Sequence, residues 1–312
     1  KLKKRINTPA DDSFGTTNTT TYEMFDRSWR GTLDISRGVR SNLIHGNDLK
    51  IGRQLGVGSF GTVNLAEYKG KKVAVKSYNN SGTMESRETF LQEVEVNMSL
   101  DSHPHIVKMI GLCLRRGQPI LVLEYMAGGS LYDHVIALNR PLKESELCDF
   151  CIGTAKGMIF LHSNNVVHRD LAARNVLLDN DHNPKISDFG MSREILNGHS
   201  AQSTVTVVGP LRWMAPENIS RIYSPNSDIW SYGVFLWELF HRKTPHADIT
   251  SIFDLALQIR DNGMTPDIEE SLVPEKWAEL MSLCWAFVPK DRIQFSDIIT
   301  FIQEECKGDA LG

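Results

Sequence analysis

Apolar and polar positions change their rhythm along this 312-residue chain. Leu49, Ile51 and Arg53 alternate with Lys50, Gly52 and Gln54, the period of a strand. Val63, Leu65 and Ala66 continue as a second strand, a Lys69-Gly70-Lys71 turn closes it, and Val73-Ala74-Val75-Lys76 forms a third. Phe90, Val94 and Met98 then recur at helical spacing. Ile120-Leu121-Val122-Leu123 is an unbroken apolar run, as expected of a strand covered on both faces. Further on the helical period dominates. Leu147, Phe150, Cys151, Ala155, Met158 and Leu161 mark one helix, which stops at His162-Ser163-Asn164-Asn165. Val176-Leu177-Leu178 and Lys185-Ile186 are short strands around an Asp179-Asn180-Asp181 turn. The stretch from Asp228 to Trp237 is apolar almost all round, which predicts a buried helix.

Residues 1–45 lack the apolar content to build a core, and a Thr-rich run crosses them. They are expected to be a flexible or docking N-terminal extension, with Tyr22, Met24, Phe25 and Trp29 as the side chains that dock. The chain starts at Lys1 rather than Met, as a fragment does.

A hydrophobic fraction of 41% and a charged fraction of 23% are those of an ordinary globular protein. A net charge of -4 gives no reason to expect nucleic acid or an anionic membrane as a partner. The most apolar run, Ile229 to Phe240, is too short to span a bilayer, and no signal peptide is visible, so a cytoplasmic location is expected. The 5 cysteines lack metal-ligand spacing and are expected to be buried, reduced thiols.

Candidate chemistry concentrates in three places. Gly56-Val57-Gly58-Ser59-Phe60-Gly61 has the wording of a phosphate loop. In a dinucleotide-binding turn it opens a helix; here strand residues follow, so the glycines belong to a hairpin tip that lets backbone approach a phosphate closely. Lys76 ends the next strand, and Glu93, more than Glu95, is the acid expected to face it. In His168-Arg169-Asp170-Leu171-Ala172-Ala173-Arg174-Asn175 and the following Asp188-Phe189-Gly190, Asp170 is suited to take a proton from a hydroxyl. Asn175 and Asp188 offer oxygens to a hard divalent cation.

Together these motifs resemble the catalytic domain of the eukaryotic protein kinases, in wording nearest the tyrosine kinase and tyrosine-kinase-like group. The resemblance covers about Asp48 to about Gln303. It implies an α+β, two-lobed kinase fold: an N-lobe over 46–126, antiparallel sheet plus one helix; a mainly helical C-lobe over 127–306; and a tail, 307–312. It implies transfer of the ATP γ-phosphoryl group to a protein or peptide, with Mg²⁺, or Mn²⁺ in its place. The implied ATP-binding residues are Leu55, Gly56, Gly58, Ser59, Phe60, Gly61, Val63, Ala74, Lys76, Leu123, Glu124, Met126 and Leu177. Of these, Glu124 and Met126 bond adenine through their backbone. The implied catalytic set is Asp170, Lys76, Glu93, Asn175 and Arg174, with Asn175 and Asp188 on the metal. Asp228 is implied to hold the catalytic loop, and Glu217 to pair with Arg292, both as structural contacts.

The acceptor is expected to be tyrosine. Ala172 stands where serine/threonine kinases usually carry lysine, and Pro210 where they usually carry threonine. Pro210 and Trp213 form the implied peptide platform. Against this, Met191 to Val208 contains no tyrosine. Ser200, Ser203, Thr204 and Thr206 are the candidate phosphorylation sites there, and Arg169 the candidate receiver of the phosphate. An activating kinase or a second copy of the chain would supply it. Serine/threonine or dual specificity is therefore the first alternative, and a catalytically silent scaffold the second. Asn97 replaces the apolar residue usual one turn after the glutamate; either a bulge brings Met98 inward or Asn97 loosens the active arrangement.

Overall fold

Leu43–Ile44, strand β1, lies parallel to Leu112 and Cys113 at one edge of a six-stranded sheet. The computed structural model describes residues 43–58, 61–78, 84–115, 118–194 and 210–308. Ser59, Phe60, Ser200, Ser203, Thr204, Thr206, residues 1–42 and residues 309–312 lie outside the described residues.

The sheet continues with β2 (Leu49–Gly58), β3 (Gly61–Tyr68), β4 (Lys71–Tyr78), β5 (Met109–Arg115) and β6 (Gln118–Glu124). Helix α1 (Met84–Ser99) connects β4 to β5. The strand order is β1-β5-β6-β4-β3-β2, and every pairing except β1–β5 is antiparallel. The unbroken apolar run in β6 has a simple cause. Leu121 packs with Phe90, Leu91, Val94 and Leu112 on the α1 side. Ile120 and Val122 pack with Ile44, Leu49, Val73 and Val75 on the other. Both faces are covered, so neither register tolerates a polar residue. Ile44, inside the predicted N-terminal extension, is buried here. A two-residue strand is too short to leave a period in the sequence.

The second lobe begins with β7 (Gly129–Ser130), a π-helical turn (Tyr132–Ala137) and α2 (Glu144–Ser163). Then come β8 (Val166–Val167), β9 (Val176–Leu178), β10 (Pro184–Ile186) and β11 (Arg193–Glu194). These pair as β10-β9-β7 and β11-β8. Helices α3 (Pro216–Ile219), α4 (Pro225–His241), α5 (Ile252–Asn262), α6 (Glu275–Cys284) and α7 (Phe295–Gly308) complete the lobe. A sheet with one helix, followed by a mainly helical lobe, is the α+β two-lobed kinase arrangement.

Helix α4 is the centre of the large lobe. Trp230, Tyr232, Phe235 and Leu236 are fully or almost fully buried there, as the all-round apolar pattern predicts. Gly157 brings α2 against β10: a Cβ there would stand 2.7 Å from Ile186 and 2.8 Å from the His105 carbonyl oxygen. β10 leads directly to Asp188, so this close approach sets the site's floor.

One expectation is overturned. Cys148 on α2 and Cys306 on α7 are joined by a disulfide across a Cα–Cα distance of 6.7 Å, rather than standing as reduced thiols. The two helices pack together although the cysteines are 158 residues apart, a proximity that spacing does not reveal. Cys113, Cys151 and Cys284 are free and buried, and burial pushes the Cys113 thiol up to about 11. Among the described residues no helix is long and apolar enough to cross a membrane.

Candidate active site

Lys76 and Glu93 meet because α1 packs Phe90, Leu91 and Val94 on Leu121 of β6, the residue that pairs with Lys76 of β4 in the sheet. Lys76 Nζ donates to both Glu93 carboxylate oxygens at 2.9 Å, and to Asp188 Oδ1 at 3.0 Å. Glu95, the alternative partner, is on the exposed side of α1. Burial by itself would discharge Lys76. The Asp188 and Glu93 carboxylates outweigh it and hold the amine charged, above the usual lysine range. Burial acts the opposite way on Glu93 and pushes its carboxyl up, although Lys76 counters it. On Asp188 burial is outweighed by the Lys76 charge, which holds that carboxyl below the usual range. One cation thus joins three elements: β4, α1 and the segment after β10.

Helix α1 runs unbroken through Asn97, so no bulge carries Met98 inward. Met98 packs against the small-lobe cluster. The Asn97 amide turns onto its own helix and donates to the Glu93 carbonyl at 2.7 Å. It also lines a cavity of about 120 Å³ with Met98, Leu100, Ile106, Val107 and Met109.

The loop from His168 to Asn175 is held from below by α4. Asp228 accepts the backbone N–H of His168 and of Arg169, each at 2.9 Å, and stands 2.9 Å from His162 Nε2. A carboxyl group that is 1% exposed needs such hydrogen-bond partners to offset the cost of burying it. Arg169 and Asp188 both adopt left-handed backbone, with φ of 68° and 63°. For residues with a Cβ that is strained, and here it turns Asp188 towards Lys76. Arg169 stacks its guanidinium on Tyr223, 4.5 Å from the ring centre.

Asp170 is surrounded by its own loop. Arg174 donates to its carboxylate, and the Asn175 amide donates to its Oδ2 at 2.9 Å and its carbonyl at 2.7 Å. Burial raises the Asp170 carboxyl above the usual aspartate range, and the Arg174 charge moderates the rise. Arg174 also lies over Trp213, 4.2 Å from the ring centre. Trp213 is positioned by its backbone N–H, which donates to the Pro210 carbonyl at 2.8 Å, and by the Ser231 hydroxyl, which donates to the Trp213 carbonyl at 2.8 Å. Glu217 meets Arg292 through two bonds of 2.7 and 2.8 Å, which anchors α3 to the segment before α7.

Between the lobes is a cavity of about 500 Å³. Leu55, Gly56, Val63, Ala74, Lys76, Leu123, Glu124, Met126 and Leu177 line it, as do Glu93, Arg174, Asn175 and Asp188. Gly58 and Gly61 face each other across the hairpin, and Gly61 is not among the described lining residues. Asp170 is not among them either; it adjoins the cavity through Arg174 and Asn175. Sequence reasoning missed Val107, Ser130 and Asp133, which also line it. Ser130 Oγ accepts the Asp133 N–H at 3.0 Å, a helix-cap pattern that the Ser130-to-Asp133 spacing signals. At Glu124 the N–H already donates to the Lys108 carbonyl at 3.0 Å, so it has no donor to offer a base. The Glu124 carboxylate binds Lys185 at 2.8 and 2.9 Å, tying the connector between the lobes to β10.

Comparison with known proteins agrees with this geometry. A family model described as protein tyrosine and serine/threonine kinase matches residues 49–302. Tyrosine-protein kinase Fer of Rattus norvegicus is 36% identical over 260 residues, covering 82% of this chain and 31% of Fer. Cytoplasmic tyrosine-protein kinase BMX of Mus musculus is 34% identical over 253 residues, 80% of this chain and 38% of BMX. A Dictyostelium discoideum protein named as a probable serine/threonine-protein kinase is 35% identical over 259 residues, 82% of this chain and 18% of its own length. The chain therefore spans well under half the length of these three relatives.

Proposed function

Since the chain belongs to the protein tyrosine and serine/threonine kinase family, we propose that its cleft transfers the terminal phosphoryl group of ATP to a protein hydroxyl, and that the acceptor is tyrosine. The observation that carries the reading is the meeting of Lys76, Glu93 and Asp188 at the wall of the interlobe cavity, with Asp170 beside it. Phosphoryl transfer needs alignment and charge neutralisation more than covalent help, and these residues suit both tasks.

The adenine slot is formed by Val63, Ala74, Leu123 and Leu177, with the backbone of Met126 as hydrogen-bond donor. Lys76, held charged by Glu93, binds the phosphates that are not transferred. The Asn175 amide nitrogen is committed to Asp170, so its oxygen is the atom it presents to a cation. Among the described residues no three acids, histidines or cysteines form a metal cage. A carboxylate and an amide are the sparse donor set with which Mg²⁺ is held together with nucleotide phosphates. Held by Asp188 and Asn175, Mg²⁺ would supply the positive charge that offsets charge developing on the phosphates. Asp170 orients the acceptor hydroxyl and takes its proton, and its raised carboxyl pKa favours that role.

For tyrosine the support is Arg174, which spans the Asp170 carboxylate and the Trp213 face with no lysine between. A flat apolar surface beside the base suits an aromatic ring that reaches in from farther out. The absence of tyrosine from Met191 to Val208 favours a second reading, serine/threonine or dual specificity. Arg169 would then meet a phosphate on Ser200, Ser203, Thr204 or Thr206. The test is phosphoamino-acid content of a mixed peptide pool after incubation with Mg²⁺ and labelled ATP, beside Asp170→Asn. Phosphotyrosine lost in Asp170→Asn is expected. Phosphoserine or phosphothreonine alone selects the second reading, and an unlabelled pool turns the protein into a scaffold.

A further inference from the structure

Two carboxylates of the buried helix α4 support the catalytic loop. Asp228 holds its first residues. Glu238 lies ten residues later, about 15 Å along the helix, and accepts the Ala173 N–H at 2.9 Å. It is 1% exposed. Arg174 and Asp170 both act on its charge, and so does the Trp213 indole N–H. That indole N–H is buried and makes no well-aligned hydrogen bond, so the Glu238 carboxylate is the polar group it faces.

We propose that Glu238 is a positioning residue for the peptide acceptor: it holds Ala173 and faces Trp213, so it sets where Arg174 leaves the loop and how the platform stands beside Asp170. The inference rests on the reading of this cleft as a protein phosphotransfer site. Its reasoning is geometric. Ala173, Arg174 and Asn175 form a single 3-10 turn. Glu238 fixes its first residue, and Arg174 carries that placement to Asp170 and Trp213. The nucleotide side has further anchors of its own. Asn175 is bonded to Asp170, and its carbonyl accepts the Ser187 N–H and hydroxyl at 2.9 Å. Lys76 and Met126 belong to the small lobe and the connector. A disturbance at Glu238 therefore reaches the acceptor before it reaches ATP.

The experiment compares wild type with Glu238→Gln, Glu238→Asp and Glu238→Leu. It reads peptide affinity by polarisation of a labelled tyrosine peptide, the KM values for peptide and ATP, kcat, and the thermal shift given by Mg²⁺-ATP. Glu238→Gln keeps the acceptor for Ala173 and stays within about threefold of wild type, while Glu238→Leu weakens peptide binding or kcat at least about tenfold. The nucleotide thermal shift is the same in all four proteins. Glu238→Asp, shorter by one methylene, falls between and covers the case in which Glu238→Leu fails to fold. Wild-type peptide behaviour in Glu238→Leu and Glu238→Asp overturns the proposal. So does a parallel loss of the nucleotide shift, a Gln variant as impaired as Leu, or no peptide binding by wild type. Peptide binding that responds to Glu238 without any phosphotransfer instead leaves the proposal standing and rejects the phosphotransfer reading.

Discussion

Arg174 lies with its guanidinium 4.2 Å from the centre of the Trp213 ring while it donates to the Asp170 carboxylate. A cation shared between the proposed base and an aromatic wall makes the proposed acceptor site one unit. Trp213→Ala is expected to raise the peptide KM about tenfold with the ATP KM unchanged. In a double-mutant cycle with Arg174→Ala, the coupling should be about 0.5–2 kcal/mol. Strict additivity of the two changes would show that the stacking carries nothing.

Lys76 neutralises two buried or half-buried carboxylates. Lys76→Met leaves them facing each other, and about 3–5 kcal/mol of stability should be lost along with phosphotransfer. Adding Glu93→Gln should restore most of the stability and none of the activity. Chemical denaturation of the single and double variants separates the two effects; recovered activity in the double variant would contradict the phosphate-binding role.

Glu238 has a stability signature of its own. Burial, the largest cause, raises its carboxyl from 4.5 to about 7, against the Ala173 hydrogen bond, the facing Trp213 indole N–H and the charge of Arg174, with Asp170 adding to the rise. A carboxyl raised in the folded state contributes stability in full below its unfolded value of 4.5, and loses it as pH climbs through about 7. The loss amounts to about 3 kcal/mol. Glu238→Gln does not titrate, so it should melt above wild type at pH 8, with the difference shrinking towards pH 5. A pH-independent difference would place the burial cost elsewhere.

The Cys148–Cys306 bridge closes a long stretch of chain between α2 and α7. Cys306→Ser should lower stability by about 2–4 kcal/mol without reductant and by little in its presence. Equal stabilities in both conditions would show that the bridge does not constrain the unfolded chain.

Asn97 shares a small cavity with Met98, Ile106 and Met109, apolar neighbours on which a leucine could pack, although Asp101, Ser102 and Lys108 line it too. Asn97→Leu should raise the melting temperature by a few degrees, about 1 kcal/mol, and leave activity equal or higher. Lower activity would mean that the Asn97 bond to the Glu93 carbonyl holds α1 in its working position.

Local pattern was enough for much of this protein. The strands around the glycine hairpin, the helix carrying Glu93 and the buried helix α4 were legible because a period of two or of 3.6 is written within a dozen residues. The motif residues Lys76, Asp170, Asn175 and Asp188 were legible because their chemistry tolerates few substitutes. Tertiary structure decided what joins across long separations. Lys76 and Asp188 are 112 residues apart, Ala173 and Glu238 are 65, and the bridged cysteines are 158. Glu238, a polar interruption of the apolar run from Ile229 to Phe240, carried no role in the sequence, and Ile44 read as the end of an extension. Periodicity says which face of an element is buried; only the packing of the elements says which group waits on the other side.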